Sequence, residues 1–459
     1  MGGILGTLSS SAGALSVFER EFNTVENNIT NANTPGYTDQ NLQLTALPFD
    51  PAEGTTGGVV SAGLVNSRSE YLEQNVRNQQ MFSGASQQTA ADLAQVQPLF
   101  DPNAANGVAG SLSSFFNSFS ALSVNPNNAS SRQAVLAAAG AVAQSFNRAA
   151  SGIQQVAGGI ANQTSAVVTQ INQLAGQIAA LNRQFQNDAA ATADPALDAQ
   201  MHSALETLSS LANFSVIKTS DGSYNVFLGG QTPLVLGTQQ APISAAFSSG
   251  QTEILDSQSN DITSQITGGS LGGMLADSNT TLPGYLAQLN GLAQTFADQV
   301  NGQLAQGLDQ SGTAPVNNLF SYDQAGDAAA TLAVNSAVTP DQIAAASAAS
   351  PGGNGNAVAV ADLANTPAVN GATFTQAFAN LTSRVGSDVA SAQQSQSEDQ
   401  DLVTQAQQQR QQASGVNLNE EAAKLLQFQQ SYQAVGQMVT VLNSLTQTIL
   451  SILPTGSAA

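Results

Sequence analysis

Residues 4–29 read ILGTLSSSAGALSVFEREFNTVENNI, and apolar side chains recur in this stretch every three or four positions. The single gap of seven positions is filled by Ser11. This spacing is a heptad seam, which is typical of a helix that packs along another helix. The N-terminal apolar set that we predict to pack on a partner helix comprises Ile4, Leu8, Leu15, Phe18, Phe22, Val25 and Ile29.

The C-terminal end of the chain repeats the pattern, although chain ends are usually polar and frayed. Its predicted packing set comprises Val416, Leu418, Leu425, Phe428, Tyr432, Val435, Val439, Leu442 and Ile449. The pattern fits two arrangements equally well. In one, the two helices form an antiparallel pair that closes a domain; in the other, they pack with copies of themselves in other subunits.

The composition of the chain favours helix over sheet. Only 9% of the 459 residues are charged, 5% are aromatic and Trp is absent, whereas Ala, Gln, Leu and Ser are abundant. Ala buries little surface per side chain, at roughly 25 cal/mol per Å² of apolar area. Ala-rich helices of this kind therefore need long contacts or partner subunits.

The charge balance argues against nucleic acid as a partner. The chain has 31 acidic and 10 basic residues, a net charge of −21, and Lys occurs only at Lys218 and Lys424. Binding to nucleic-acid phosphates or to an anionic membrane surface needs clustered Lys and Arg. We therefore expect no nucleic-acid partner and an acidic, soluble surface.

The absence of Cys excludes disulfides, thiolate catalysis and cysteine-ligated metals. The sequence also has no run of the ~20 apolar residues that a membrane-spanning helix needs. Its first six residues have neither the basic segment nor the long apolar core of a cleavable signal peptide. We expect no membrane insertion and no cleaved leader.

Changes of pattern divide the interior. Residues 41–70 alternate loosely and predict an extended hairpin, and helical periodicity follows to about 212, with one helix expected to begin at the N-cap pair Ser130-Ser131. Strand-like segments around the turn Asp221-Gly222 predict a small β region, and the glycines of 268–273 mark the return to helix.

The predicted fold class is therefore mainly α with a small β part (α+β). Long coiled-coil-like helices come from both chain ends, with a helical-bundle middle domain and one small β-rich outer domain. The predicted boundaries are 1–40 for the N-terminal helix and its loop, 41–212 for the first half of the helical domain with its hairpin, 213–269 for the β-rich domain, 270–413 for the returning helical half, and 414–459 for the C-terminal helix.

Residues with catalytic potential are scarce. His202 is the only histidine, so a metal site or a Ser–His–Asp triad would have to depend on it, and no second ligand of suitable spacing lies near it. The Gly-rich stretches lack the Lys-Ser/Thr of a phosphate-binding loop. We predict no catalytic residues, no metal, no cofactor and no enzymatic activity.

Two terminal motifs carry a family resemblance. The stretch 27–38, NNITNANTPGYT, resembles the N-terminal motif of flagellar rod, hook and hook-associated proteins, and 414–421, SGVNLNEE, followed by 426–432, LQFQQSY, resembles their C-terminal motif. The form of the C-terminal motif is most similar to that of the flagellar hook-associated protein 1 family. Interior segments around Asn125-Pro126, Phe146-Asn147 and 269–275 resemble that family as well, so the likeness spans nearly the whole chain.

The resemblance implies a structural subunit that forms a ring at the tip of the hook and joins hook to filament. Its terminal helices would pack as a coiled coil in the innermost tube of the flagellum, and the loop residues of the motif would be Asn27, Asn28, Asn31, Asn33, Pro35, Gly36 and Tyr37. The implied partners are copies of itself, hook protein, hook-associated protein 3 and a cytoplasmic export chaperone at the C-terminal helix. The implied location is extracellular, after type III export without signal cleavage.

One departure and three alternatives accompany this prediction. Some family members carry a further β-rich insertion after the returning helix, where this chain has only the Ala-rich stretch of about 320–372, so we expect one outer β domain. Another axial protein, such as hook or distal rod protein, shares the terminal motifs. A secreted coiled-coil adhesin is a second alternative, and a peptidase or muramidase a third.

Overall fold

Helices dominate the computed structural model, which describes residues 2–50, 55–102, 104, 106–248 and 250–452. The predicted class, mainly α with a small β part, is confirmed. None of the helices within these ranges is long and apolar enough to cross a bilayer.

The helices of the described ranges are α1 Gly2–Asn31, α2 Glu70–Val96, α3 Val108–Val124, α4 Ala129–Asn187, α5 Pro195–Leu211, α6 Gly269–Ala276, α7 Leu282–Ala305, α8 Ala328–Thr331, α9 Gly355–Asp362, α10 Phe374–Ser414 and α11 Leu418–Ile452. The strands are β1 Gln40–Asp50, β2 Thr55–Asn66, β3 Phe214–Lys218, β4 Tyr224–Leu228, β5 Thr232–Leu236, β6 Gln239–Gln240, β7 Ser244–Ser248, β8 Gln251–Leu255, β9 Gly307–Leu308, β10 Phe320–Ser321, β11 Ala333–Val334 and β12 Ala346–Ser347. A π-helical turn, Asp277–Thr281, joins α6 to α7.

The start of α4 differs from the sequence-based prediction. The side chain of Asn128 caps the helix by accepting a hydrogen bond from the backbone N–H of Ser131 at 2.9 Å, so α4 begins at Ala129. The predicted N-cap pair Ser130-Ser131 is therefore wrong. Asn is as favourable an N-cap as Ser, and here it comes first after the turn at Pro126.

The helix α4 runs through the whole body of the molecule. Its 59 residues span about 88 Å at 1.5 Å per residue. Near its start, the guanidinium of Arg132 donates to the backbone carbonyl of Ile343 at 2.7 Å, and near its end the Asn182 amide donates to the carbonyl of Tyr224 at 2.8 Å. One helix thus contacts both the segment after α7 and the β region.

Phenylalanine rings fill the centre of the helical body. The ring of Phe296 lies 5.2 Å from that of Phe115, 5.1 Å from Phe320 and 5.6 Å from Phe374, in tilted or edge-on arrangements. Such geometries are favourable for aromatic pairs. The cluster joins α3, α7, α10 and the segment containing β10, so the two halves of the body share one core.

The sheets are small and antiparallel. Strands β3-β4-β5-β6 form one sheet in that order, and β7 pairs with β8 in a separate sheet. On β4, Tyr224, Val226 and Leu228 alternate inward. In the described part of the chain, strands of five or more residues outside β1 and β2 lie between 214 and 255. The domain boundaries given above stay predictions, and 453–459 of the last predicted domain lie outside the described residues.

The helices α1 and α11 pack together with the β1–β2 hairpin, and we call these three elements the stalk; residues 70–414 form the body. The stalk helices are antiparallel, because Asn28 hydrogen-bonds Glu421 near one end of the pair and Tyr432 hydrogen-bonds Glu19 further along. The hairpin pairs Gln40 with Asn66 at its base and lies along another side of α1, where the hydroxyl of Ser10 donates to the carbonyl of Gly57 at 2.9 Å.

Candidate functional site: the stalk and its junction with the body

Asn28 is the centre of the junction where the two stalk helices meet the hairpin. Its side chain has no exposed surface. Its amide donates to the Asp39 carboxylate at 2.8 Å, to the Gln40 carbonyl at 2.9 Å and to the Glu421 carboxylate at 3.0 Å. Its oxygen accepts from the Tyr37 hydroxyl at 2.9 Å and from the Gln40 backbone N–H at 3.0 Å. One side chain therefore fixes α1, the following loop, β1 and α11 relative to each other.

Lys424 supplies the positive charge of this junction. Its ammonium lies 2.6 Å from the Glu421 carboxylate and 3.9 Å from that of Asp39, and it donates to the Asn41 side chain at 3.2 Å. Burial lowers the pKa of Lys424, but the hydrogen bond to Glu421 and the charge of Asp39 outweigh it and raise that pKa above its ordinary value. The ammonium is therefore retained beside the carboxylates of Glu421 and Asp39, and its charge also acts on that of Glu21.

Burial shifts the titration of the groups around Lys424. It raises the pKa of Asp39, against the opposing hydrogen bond from Asn41 and the charge of Lys424. It also raises the pKa of Glu21, and that of Tyr37 to about 12, where the charges of Asp39 and Glu421 act in the same direction. The junction is thus a compact, partly dehydrated charge cluster rather than a solvated surface.

The end of α10 is tied into the same junction. The carbonyl of Ser414 accepts from the backbone N–H of Asp39 at 2.9 Å and from the hydroxyl of Ser67 at 3.0 Å. In return, the Ser414 hydroxyl donates to the carbonyl of Ser67 at 2.9 Å. The chain therefore enters α11 from a point held against both the loop after α1 and the end of β2.

Gly36 brings the loop against the body. Its φ is +76°, and a Cβ at this position would lie 2.3 Å from the carbonyl oxygen of Ala199 on α5. Only glycine combines that conformation with that approach. The carbonyl of Gly36 accepts from the guanidinium of Arg68 at 2.6 Å, which links the loop to the charged cluster described next.

A buried charge cluster anchors the stalk in the body. Arg68 pairs with Glu73 at 2.5 Å and with Asp198 at 2.6 Å, and Arg410 pairs with Glu73 at 3.1 Å and with Glu206 at 2.7 Å. These residues come from the end of the hairpin, α2, α5 and α10. The cluster therefore holds three body helices around the loop that follows α1.

The single histidine lies beside this cluster. His202 is buried, and its Nε2 lies 3.7 Å from the Asp198 carboxylate and 3.8 Å from that of Glu70. Burial and the nearby cations Arg68 and Arg77 hold the pKa of His202 well below its ordinary value. The imidazole is therefore neutral at pH 7, and its Nδ1 has no hydrogen-bond partner.

The predicted N-terminal packing set lies on the stalk but is not uniformly covered. Val25 is buried, Ile29 is exposed, and the other members are half-buried: Ile4, Leu8, Leu15, Phe18 and Phe22. The ring of Phe18 lies 6.5 Å from that of Phe428, and Phe22 lies 6.5 Å from Tyr432, edge-on. The structure brings these members of the two predicted sets together within one chain.

The predicted C-terminal set is divided in the same way. Its half-buried members are Val416, Leu425, Phe428, Val435, Val439 and Leu442, and its exposed members are Leu418, Tyr432 and Ile449. Of the predicted loop residues, Asn28 is buried; Asn31, Gly36 and Tyr37 are half-buried; Asn27, Asn33 and Pro35 are exposed. The roles of these residues in assembly stay predictions.

The stalk exposes large apolar side chains on its outer surface. On α11 they recur along one side at Met438, Val441 and Leu445, of which Val441 is 57% exposed. The hairpin adds further ones, with Phe49 73% exposed. The full set of exposed large apolar side chains of the stalk comprises Leu5, Ile29, Leu44, Leu47, Phe49, Val60, Val65, Leu418, Leu426, Tyr432, Met438, Val441, Leu445, Ile449 and Leu450.

Several junction residues were missed by reasoning from the sequence. Glu421 is one of them: it is buried and bonded to Asn28. The signal available was the spacing of Glu421 and Lys424, which are three apart on one helix face. No comparable pattern marks Asp39, Ser67 or Ser414, because their contacts join positions more than 300 residues apart.

The described residues offer little for catalysis. They contain no group of three or more potential metal-ligating side chains. A groove of about 710 Å³ lies between the loop after α1, α4 and α5, and Asp194 is the one charged residue among those that line it. The arrangement best fits packing against other protein chains.

Known proteins match both the ends and the middle of the chain. The family described as "Flagellar hook-associated protein FlgK helical domain" matches residues 93–320, "Flagella basal body rod protein" matches 8–38, and "Flagellar basal body rod FlgEFG protein C-terminal" matches 407–452. The three matches cover most of both stalk helices and the larger part of the body.

Full-length relatives agree with these matches. Flagellar hook-associated protein 1 of Bacillus subtilis (strain 168) is 25% identical over 98% of this chain and 98% of its own length. Its counterpart in Salmonella typhimurium is 25% identical over 97% of this chain and 99% of its own length. The solved structure of the flagellar hook junction protein FlgK from Burkholderia pseudomallei has the same fold, with a TM-score of 0.67 and 19% identity over 74% of this chain and 99% of that one.

Paired terminal helices, a hairpin beside them and a helical body define a structural protein of the flagellar axial class. The chain belongs to the flagellar hook-associated protein 1 family. The prediction made from the two terminal motifs is thereby confirmed, and with it the prediction of a structural flagellar protein.

Proposed function

We propose that this protein assembles with copies of itself into a ring at the tip of the hook and joins the hook to the filament. The observation that carries the proposal is the apolar outer surface of the stalk. Monomeric proteins rarely expose continuous apolar surface of this extent, and such surface usually marks an interface. In this proposal the stalk helices form the coiled-coil packing of the innermost tube.

The distribution of burial on α11 supports packing between subunits. Its inner face meets α1 in the same chain through Phe428, whereas Met438, Val441 and Leu445 face away from that contact. Burying an apolar side chain of this size contributes about 1.5–3 kcal/mol. Burial of a few such side chains from each of several subunits stabilises a ring without a large conformational change in the monomer.

The finer partners follow from membership of this family. Hook protein would contact the ring from below, hook-associated protein 3 from above, and an export chaperone would cover the C-terminal helix before export without signal cleavage. The assembled protein would be extracellular. We propose no enzymatic role, since the lone His202 is neutral and buried.

A substitution on the outer face of α11 tests the proposal. Met438→Ser, Val441→Ser and Leu445→Ser together should leave the helical content of the purified monomer unchanged but abolish attachment of filaments to hooks in cells that lack the native protein. The matched control replaces exposed polar residues of the same helix, Gln437→Ser and Gln447→Ser, and should retain attachment.

Two outcomes would contradict the proposal. Normal numbers of attached filaments with the triple variant would show that the outer face is not an assembly surface. Loss of the hooks themselves would assign the chain to hook or rod assembly instead. Deletion of 1–30 or of 420–459 should reproduce the phenotype of the triple variant.

A further inference from the structure

Two aspartates lie buried in the body without a charged partner. Asp92 on α2 has no exposed surface, and Asp277, at the start of the π-helical turn, is 1% exposed. Among the residues that the structure describes, one carboxyl oxygen of each, Oδ2, finds no hydrogen-bond partner. Buried carboxylates are normally paired or fully hydrogen-bonded, so both groups favour the neutral, protonated form.

Arg384, a cation that lines the same cavity as Asp277, is paired elsewhere. Asp277, Arg384 and Asp388 line a cavity of about 500 Å³ between α2, the π-helical turn and α10. Arg384 is mostly exposed and pairs with Asp388 at 3.8 Å, and Asp388 accepts a hydrogen bond from the Tyr285 hydroxyl of α7 at 2.7 Å. The charge of Arg384 is therefore partly offset by the carboxylate of Asp388.

The other elements packed against the pair supply no compensating charge. The helix α6 has no charged residue, and α4 has none between Arg148 and Arg183. The strand β8 contributes Glu253, which is negative, and α7 contributes only Asp298 besides Tyr285. The one polar group that supports Asp92 is the Gln88 amide, which donates to its Oδ1 at 2.9 Å.

Burial acts on both carboxyls in the same direction. Burial raises the pKa of Asp92 to about 6, although the hydrogen bond from Gln88 opposes it. Burial raises the pKa of Asp277 to about 7, and the charge of Asp92 raises it further, against hydrogen bonds from Thr89 and Thr281. A charge on Asp92 disfavours ionisation of Asp277, so the titrations of the two carboxyls are linked.

The π-helical turn that carries Asp277 also holds the β7–β8 hairpin. The Asn279 side chain, two positions on, accepts from the backbone N–H of Thr252 on β8 and donates to its carbonyl, both at 2.8 Å. On the other side, α6 packs so closely on α2 that a Cβ at Gly273 would lie 2.7 Å from the carbonyl oxygen of Ala85. The turn is therefore a joint between the helical body and the β region.

We propose that Asp92 and Asp277 stabilise this joint while both carboxyls are protonated, and that ionisation of both carboxyls destabilises it. The pair thus makes the attachment of the β7–β8 hairpin sensitive to pH. This inference does not depend on assembly into a ring.

The direction of the pH effect follows from linkage. Between the pKa of an unfolded Asp, near 3.9, and the raised values of the native pair, the folded state binds more protons than the unfolded state. Stability contributed by the pair is fully present below about pH 4, falls as the pH rises, and is lost once the pH exceeds about 7.

Thermal unfolding of the full chain, followed by helical circular dichroism at pH 5, 6, 7 and 8, tests the proposal. The midpoint of the wild type should fall by about 5 °C over this range, and the fall should be at most about half as large in Asp92→Asn and in Asp277→Asn. Asp401→Asn removes the same charge from an exposed site on α10 and should follow the wild type. Amide exchange at 277–281 and at Thr252, corrected for the intrinsic rate, should accelerate about tenfold between pH 5 and 8 in the wild type alone.

Two results of the unfolding series would overturn the proposal. One is an equal fall in the wild type and in both Asn variants. The other is that millimolar Mg²⁺ or Ca²⁺ raises the stability of the wild type at pH 8 but not that of Asp277→Asn. Such a result would make the pair a cation site. Should the Asn variants fail to fold, a carboxyl ¹³C titration of the wild type decides: steps near pH 6 and 7 support the pair, and titration of both groups below about pH 5 contradicts it.

Discussion

Asn28 illustrates why a polar side chain is placed in the tightest part of the stalk. Its amide has two donor hydrogens and its oxygen two acceptor lone pairs, and all of them are used by groups on three different segments. An apolar residue of the same size would leave the Glu421 carboxylate and the Gln40 backbone without these partners.

Asn28→Ala should therefore lower the free energy of unfolding by about 2–4 kcal/mol, because several buried polar groups lose their partners at once. Its neighbour Asn27 is exposed, so Asn27→Ala is the matched control and should cost less than about 1 kcal/mol. Urea titration followed by circular dichroism measures both. Equal effects of the two substitutions would show that the junction does not depend on Asn28.

The sequence predicted the loop that contains Asn28 but not the role of that residue. Asn, Pro and Gly at 27–38 are turn formers, so a turn at this place follows from local chemistry. The choice of Asn28 as the buried member depends on Glu421, 393 positions away, and no local pattern carries that information.

At the scale of elements, the charge cluster of Arg68 and Arg410 decides how the stalk is attached. The guanidinium of Arg68 lies between Glu73 on α2 and Asp198 on α5 and also holds the carbonyl of Gly36. Removing one partner from a buried ion cluster leaves uncompensated charge, which costs more than the net contribution of the pair.

Arg68→Met should lower the free energy of unfolding by about 3–5 kcal/mol, since Glu73 and Asp198 keep their charges in a buried site. The control Arg384→Met removes an exposed arginine whose ion-pair distance is 3.8 Å, and should cost below about 1 kcal/mol. Chemical denaturation at pH 7 measures both. A small effect of Arg68→Met would mean that water replaces the guanidinium.

The apolar periodicity predicted where the helices lie in the sequence better than it predicted which helices contact each other. The helical periodicity predicted up to about 212 includes α4, but the unbroken length of α4 was not foreseen because Gly140, Gly152, Gly158 and Gly159 interrupt the apolar pattern. Packing along the whole body overrides the weak helix propensity of these glycines. The N-cap of α4 was predicted at Ser130-Ser131 instead of Asn128 because several good capping residues follow one another there.

At the scale of the whole molecule, acidic residues outnumber basic ones by 31 to 10. Five of the ten basic residues, Arg68, Arg77, Arg132, Arg410 and Lys424, lie in buried or junction contacts, so few cations remain to offset the acidic surface. Copies that meet through the apolar outer face of the stalk must therefore overcome mutual repulsion.

Self-association should strengthen with salt, because the screening length falls from about 30 Å at 10 mM to about 8 Å at 150 mM ionic strength. We expect the dissociation constant of the purified protein, measured by sedimentation velocity, to fall at least about tenfold over this range. The triple Ser variant of α11 should stay monomeric at both salt concentrations. Weaker association at higher salt would instead indicate ion pairs between copies.

The α4 helix also has a mechanical consequence. A single unbroken helix from the segment beside Ile343 to the strand that begins at Tyr224 transmits tension or torque along one axis without crossing a loop. A subunit built in this way behaves as a stiff rod whose stalk is tied to the body by the Arg68 cluster.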